Sequence, residues 1–195
     1  MHQVLRNYIA DKKVVLTEEE FNHWVSLFIP KKVKKHEFLL NEGEIAKYTY
    51  FTVHGCLRMY TVDNKGKEHI MQFAPENWWL GDMESSSKNT PSVYFIDALE
   101  ESDVLLMDNV SWEKSLKEIP ALALLFQRLM QNRQMATQKR IIFSMSSSAE
   151  ERYLAFMKTY PSIAQRIPQH MIASYLGITP ESLSRIRKQV VKGSR

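Results

Sequence analysis

Apolar positions recur at helical spacing near both ends of this chain and alternate with polar ones in between. His2–Ala10 reads as a short helix and Thr17–Phe28 as a second. Thr17 is placed to cap the second helix, Glu18, Glu19 and Glu20 suit its positive N-terminal end, and Phe21, Trp24, Val25 and Phe28 form its apolar face. Pro30 is expected to close it. From Lys31 the period drops to two, and Val33–Leu40 reads as one basic-apolar strand followed by the turn Asn41–Glu44. Tyr48–Val53 and Cys56–Val62 read as strands separated by His54-Gly55. The hairpin turn Asp63–Gly66 then leads into the strand Glu68–Phe73. Pro75-Glu76-Asn77 turns the chain into Trp78–Asp82, Met83–Pro91 reads as a polar, flexible stretch, and Ser92–Ala98 and Asp103–Asp108 complete the strands. Strands roughly eight to twelve residues apart with turn signals between them predict an antiparallel β-barrel or sandwich. No repeat of about 20–50 residues is present, which excludes a solenoid.

After Asp108 the helical period returns. Asn109–Glu118 predicts a short helix, and Pro120 opens a long one running to about Ser144. Its apolar positions include Leu122, Leu125, Leu129 and Ala136, with Phe126, Met130, Arg133 and Ile141 alongside. Roughly 24 residues make a rod of about 36 Å, longer than a small barrel requires. A subunit interface is the expected use, with packing on its own barrel as the alternative. Ser146-Ser147-Ser148 is a hinge candidate, Ser148 caps the helix Ala149–Tyr160, and Pro161 ends that helix. The expected organisation is α+β: a barrel with N-terminal helices over 1–119, a connecting helix over 120–145, and a helical domain over 146–195.

That last domain carries the most specific pattern. In Gln169–Val190, Ile172, Ala173 and Leu176 form an apolar stripe, and Gly177 follows where a helix ends in left-handed backbone. Thr179 offers a capping hydroxyl and Pro180 occupies the first helical position, where a missing N–H costs nothing. Leu183, Ile186 and Val190 then share one face, and Glu181, Ser184, Arg185 and Lys188 the other. This is the pattern of a helix-turn-helix.

Charge sharpens the picture. Residues 161–195 hold Arg166, Arg185, Arg187, Lys188, Lys192 and Arg195 against one acid, Glu181, a net +5. The whole chain is +4, so the first 160 residues carry −1 by difference. A basic excess confined to one end is the electrostatic footprint of a phosphate-binding surface. Any wing after Val190 is at most a few residues long. No apolar run approaches the roughly 18 residues of a membrane span. The N-terminus lacks the apolar core of a secretory signal. The single cysteine, Cys56, excludes an internal disulfide and a four-thiolate cluster from one chain, and suits a buried apolar role. A reducing cytoplasm is the expected address. The six histidines are scattered without metal-ligand spacing. Gly-rich phosphate loops, nucleophile elbows and paired-carboxylate motifs are absent, so nothing here indicates an enzyme.

A barrel, a long helix and a C-terminal helix-turn-helix together resemble the Crp–Fnr (catabolite activator/fumarate-nitrate reduction) superfamily of transcription regulators. Ile172-Ala173, Leu176-Gly177-Ile178, Leu183 and Ile186 match its helix-turn-helix spacing. Phe38–Glu44 resembles the turn opening a cyclic-nucleotide-binding barrel of the double-stranded β-helix type, and Tyr50–Gly55 the strand and turn after it. The resemblance implies a homodimer reading a two-fold symmetric site on double-stranded DNA, with RNA polymerase as a further partner. It places Glu181 and Arg185 at base-reading positions, chemically apt for a cytosine amino group and a guanine edge. Thr179, Ser182 and Lys188 fall at phosphate or flanking positions, and Gln169 and His170 begin the helix over the DNA backbone. Pro180 stands where a base-contacting arginine is frequent. General affinity would come from Arg166, Arg187, Lys188, Lys192 and Arg195.

The sensor half departs from the cyclic AMP pattern. Gly81-Asp82 replaces glycine-glutamate, and Pro91-Ser92 stands where an arginine-serine pair would hold the phosphate. Losing the arginine removes a bidentate, charge-assisted partner, and a lysine such as Lys88 does not replace its fork. No cofactor is therefore expected and cyclic AMP is disfavoured. Gly81, Asp82 and Ser92, with Trp78 and Trp79 as a possible apolar lining, mark the candidate site for an unidentified small-molecule effector. The two tryptophans read more readily as plain core or as the barrel-to-helix seam. The competing reading is a ligand-binding signalling module whose helix-turn-helix serves protein interaction.

Overall fold

A computed structural model of the chain describes residues 2–193. It opens with two helices, α1 (His2–Asp11) and α2 (Glu18–Ser26). Thr17 caps α2 in a full capping box: its hydroxyl accepts from Glu20 N–H at 3.1 Å, and the Glu20 carboxylate accepts from Thr17 N–H at 2.8 Å.

Eight strands follow: β1 (Ile29–Val33), β2 (Phe38–Leu40), β3 (Tyr48–His54), β4 (Leu57–Val62), β5 (Glu68–Ala74), β6 (Trp79–Leu80), β7 (Phe95–Ala98) and β8 (Ser102–Asp108). They form two four-stranded antiparallel sheets, ordered β1-β8-β3-β6 and β2-β7-β4-β5. All eight strands contribute to one shared apolar cluster, including Val33, Leu40, Tyr50, Leu57, Ala74, Leu80, Ile96 and Val104. That cluster is the interior of the barrel.

Three expectations are corrected here. Val33–Leu40 is not one strand. β1 and β2 belong to different sheets, and the chain turns a corner at Lys34–Glu37 with His36 in left-handed backbone at φ 65°. Nor does Pro30 end α2, which stops at Ser26. Pro30 sits inside β1, an edge strand paired only with β8, where a proline's missing N–H leaves no ladder bond unmade. Finally, the polar stretch after Asp82 contains α3 (Met83–Lys88), with Asp82 as its N-cap and Asn89 closing it at φ 53°. The strands on either side of His54-Gly55 also part company, β3 to one sheet and β4 to the other.

Both outer faces of the barrel are covered. On the β3–β8 face, Phe51, Leu105 and Met107 pack with Leu5, Tyr8, Phe21 and Trp24 of the N-terminal helices. Ile119, Leu122, Leu125 and Phe126 join the same cluster from the region of α4 (Asn109–Glu118) and α5 (Pro120–Ser146). At 27 residues α5 is about 40 Å long. Its first turns are buried at Leu122, Leu125 and Phe126, while Met135, Ile141, Ile142, Phe143 and Met145 are exposed further along. The other outer face, with Tyr60, Ile70 and Phe73, packs against the C-terminal helices: α6 (Ala149–Thr159), α7 (Gln169–Leu176) and α8 (Pro180–Gly193). Ser148 caps α6 in a second capping box with Glu151.

Candidate nucleic-acid interface and sensor cleft

The α7–α8 turn is built by its own sequence. Gly177 closes α7 at φ 67°, ψ 36°, and its N–H and that of Ile178 return to carbonyls of the last turn, the latter to Ala173 at 3.0 Å. The Thr179 hydroxyl accepts from Ser182 N–H at 3.2 Å, as an N-cap should. Leu183 and Ile186 are buried against Ile172, Ala173 and Leu176, which fixes the rotation of α8 about its axis. That rotation leaves Glu181, Ser184, Arg185, Arg187 and Lys188 exposed on the opposite side, with Ser182 half-buried beside its cap. Glu181 has its carboxyl held below the ordinary value, first by its own backbone N–H and then by the Thr179 hydroxyl.

At the start of α7, His170 is exposed and Gln169 half-buried, its Oε1 without a hydrogen-bond partner. Of the remaining cations, Arg195 and the side chain of Lys192 lie outside the described residues. Arg166 does not project toward a ligand, contrary to expectation. It donates to Glu76 Oε1 at 2.9 Å and pairs with Glu100 as well, so its charge is spent on two barrel turns.

The inner side of α7 faces the barrel. The Ser174 hydroxyl donates to Glu68 O at 2.8 Å and accepts from Ile70 N–H at 3.1 Å, inserting itself between two residues of the β5 edge. Arg140 of α5 donates to Met71 O at 2.7 Å while lying 4.9 Å from the centre of the Tyr175 ring. Phe73, Phe156, Tyr160 and Tyr175 pack edge-on and tilted at 5.1–6.1 Å between centroids. Under this seam Arg58 donates to Asp97 through Nε at 2.7 Å and Nη2 at 2.9 Å, a bidentate pair in which both residues are buried. Sequence reading missed Ser174, Arg140 and the Arg58–Asp97 pair. The signal for the last was an arginine and an aspartate in the middle of otherwise apolar strands.

The five residues of the expected effector site separate. Trp79 is core: its ring lies 5.0 Å from those of both Phe51 and Phe126, and its Nε1 donates to the Tyr8 hydroxyl at 3.0 Å. Trp78 packs on Tyr160 at 5.3 Å in the seam between the barrel and the C-terminal helices. Ser92 is buried and donates to Asp82 Oδ2 at 2.7 Å. The other carboxylate oxygen of Asp82 accepts from the N–H groups of Glu84 and Ser85 at 3.0 and 3.1 Å. Only Gly81 and Asp82 line a cleft, of about 250 Å³, together with Met59, Met83, Glu84, Tyr94, Met130 and Arg133.

Cys56 is buried, and burial pushes its thiol up to about 12, so it is chemically inert. His69 pairs with Asp63 and His23 with Glu118, each at 2.8 Å. Among the described residues no three His, Cys, Asp or Glu side chains gather to hold a metal ion, and no helix is long and apolar enough to cross a membrane.

The chain is similar to known proteins along most of its length. Residues 30–118 match the cyclic nucleotide-binding domain family. The fumarate and nitrate reduction regulatory protein of Escherichia coli is 28% identical, the match covering 88% of this chain and 72% of that protein. The regulatory protein HlyX of Actinobacillus pleuropneumoniae is 26% identical, over 88% of this chain and 75% of its own length. Among solved structures, FixK2 from Bradyrhizobium japonicum superposes with a TM-score of 0.73 at 21% identity, covering 86% of each chain, and shares the fold. The match to the cyclic nucleotide-binding domain family spans the barrel and α4, and the relatives named here are regulatory proteins.

Proposed function

We propose that this protein is a cytoplasmic, homodimeric DNA-binding regulator. In this reading α8 enters the major groove, α5 forms the two-fold subunit interface, and residues 146–195 act as the DNA-binding domain downstream of a sensor barrel. The observation that carries the reading is the orientation of α8: Leu183 and Ile186 are buried, and Glu181, Arg185 and Lys188 stand exposed on the opposite face. Arg185 is suited to a bidentate contact with guanine and Glu181 to accepting from a cytosine amino group. Thr179, Ser182, Lys188, Gln169 and His170 are assigned to phosphate and flanking contacts. The exposed apolar run from Met135 to Met145 supports α5 as the subunit contact, because a lone surface helix rarely exposes so many large apolar side chains. Two recognition helices on one axis would read half-sites about 34 Å apart. RNA polymerase is the proposed downstream partner.

The sensor is proposed to respond to something other than cyclic AMP. The buried Asp82 carboxylate receives the Ser92 hydroxyl, so the position expected to hold a phosphate already carries a negative charge. Selection of bound sequences from a random DNA pool tests the whole reading. A two-fold symmetric consensus is expected, and recovery of unselected sequence would overturn it.

A further inference from the structure

The cleft beside α3 contains a cation that the fold does not use. Arg133 of α5 is half-buried and lines the cleft of about 250 Å³ with Met59, Met83, Met130, Tyr94 and Asp82. Arg6, Arg58, Arg140, Arg152 and Arg166 each donate to a named carboxylate or carbonyl. Arg133 makes no such bond among the described residues. Burial pulls its pKa down from the ordinary guanidinium value, with Tyr94, Tyr160 and Asp82 opposing the shift. The neighbouring acids are engaged elsewhere. Asp82 holds two backbone N–H groups and the Ser92 hydroxyl, and Glu84 pairs with Lys88 at 2.8 Å.

A guanidinium partly withdrawn from water has five donors to satisfy and matches a planar oxyanion. Beside it the walls are the thioethers of Met59, Met83 and Met130 and the Tyr94 ring, apolar and adaptable in shape, with Gly81 and the already engaged carboxylates of Asp82 and Glu84 completing the lining. At about 250 Å³ the cleft falls below the roughly 300–1,000 Å³ of pockets for drug-sized ligands, so its occupant is small. The fixed charge of Asp82 penalises a dianion more than a monoanion. We propose that this cleft binds a small monocarboxylate with an apolar body, the carboxylate paired with Arg133 and the body against Met59, Met83, Met130 and Tyr94. This inference rests on the sensor role given above to the barrel and α5, and names the chemistry of its ligand.

The test is thermal unfolding of the full chain, without DNA, in the presence of benzoate, phenylacetate or hexanoate, each matched by its neutral amide, and of cyclic AMP. At least one carboxylate should raise the melting midpoint where its amide does not. Arg133→Gln should weaken that binding roughly ten- to a hundredfold, as loss of a charge-assisted pair does, and Arg133→Lys should recover part of it. The amide comparison in the unaltered protein tests the charge requirement even where a variant folds poorly. The proposal is overturned by a panel in which no carboxylate acts, by carboxylates binding Arg133→Gln equally well, or by cyclic AMP binding more tightly than any of them. An Arg133→Gln chain that becomes monomeric without ligand would also overturn it, since the arginine would then be a subunit contact. With no DNA present, failure here leaves the DNA-binding reading intact, and unselective DNA binding would not touch this result.

Discussion

Arg166 donates to Glu76 at 2.9 Å and reaches Glu100 from the same guanidinium, joining the loop before α7 to two separate turns of the barrel. Together with Ser174 on the β5 edge, it sets the position of the helix-turn-helix against the barrel. Burial raises the Glu76 carboxyl, but the hydrogen bonds from Arg166 and Gly55 N–H outweigh it and hold the group below its ordinary value. A carboxylate depressed in this way stabilises the folded seam fully above its unfolded pKa, and the contribution is lost as pH falls through the lower folded value. Protection of the α7 amides, taken relative to their intrinsic exchange rate at each pH, should therefore fall below about pH 4.3. Glu76→Gln should bring that lower protection to neutral pH and flatten the acid response. Unchanged exchange in Glu76→Gln would show that the apolar seam alone holds α7.

Arg185→Ala should cost about 1–3 kcal/mol of specific DNA binding and relax discrimination at one base position. Lys188→Ala should instead weaken all sequences alike and reduce the salt dependence by about one phosphate contact. Titrations on selected and scrambled duplexes at several salt concentrations separate the two. Identical behaviour of both variants would remove Arg185 from base reading.

Ile141 and Phe143 are 55% and 42% exposed on the second half of α5. Replacing both with Glu should abolish dimerisation, because paired apolar faces tolerate no unpaired buried charge. Light scattering should show a monomer while the far-ultraviolet dichroism stays helical. A persistent dimer would move the interface elsewhere.

Asp97→Ala should destabilise the barrel by about 3–5 kcal/mol, since it strands the buried Arg58 guanidinium. Chemical denaturation measures this directly. Arg58 would keep the partly exposed Glu68 as its charged partner, with the Tyr60 ring and Met171 Sδ beside it, so a loss below about 1 kcal/mol would mean water reaches the site.

Gly55→Ala should also destabilise, by more than about 1 kcal/mol. Gly55 adopts φ +91°, and an added Cβ would lie 2.8 Å from Glu101 O. Gly43→Ala, at φ +87° in open space, carries only the backbone strain, so comparing their melting midpoints isolates the steric part.

Element ends were the most legible feature of the sequence. Thr17, Ser148 and Thr179 cap the helices they were expected to cap, and Gly177 closes α7, because these signals act over three or four residues and need no distant partner. The corner at Lys34–Glu37 was illegible because it is lined by lysines and His36, none of which is a turn residue by preference. The helix α3 had one overlooked signal, Asp82 as an N-cap before a serine run that otherwise reads as flexible. Trp78 and Trp79 could not be told apart by type, since strand alternation sends them to opposite faces and only the packing decides what each face meets.

Local chemistry by itself determined the caps at Thr17, Ser148 and Thr179 and the glycine stop at Gly177, which face of α8 is charged, and that strands precede a long rod and a helical hairpin. Tertiary structure alone decided that Arg166 is consumed by Glu76 and Glu100, that Ser174 is pinned to β5, and that Arg133 lines the cleft beside α3 without a hydrogen-bonded carboxylate or carbonyl among the described residues. The reason is range. Caps and apolar periods are settled among neighbours a few residues apart, whereas the partner of a long cationic side chain is chosen by segments about a hundred residues away that only folding brings within hydrogen-bond distance.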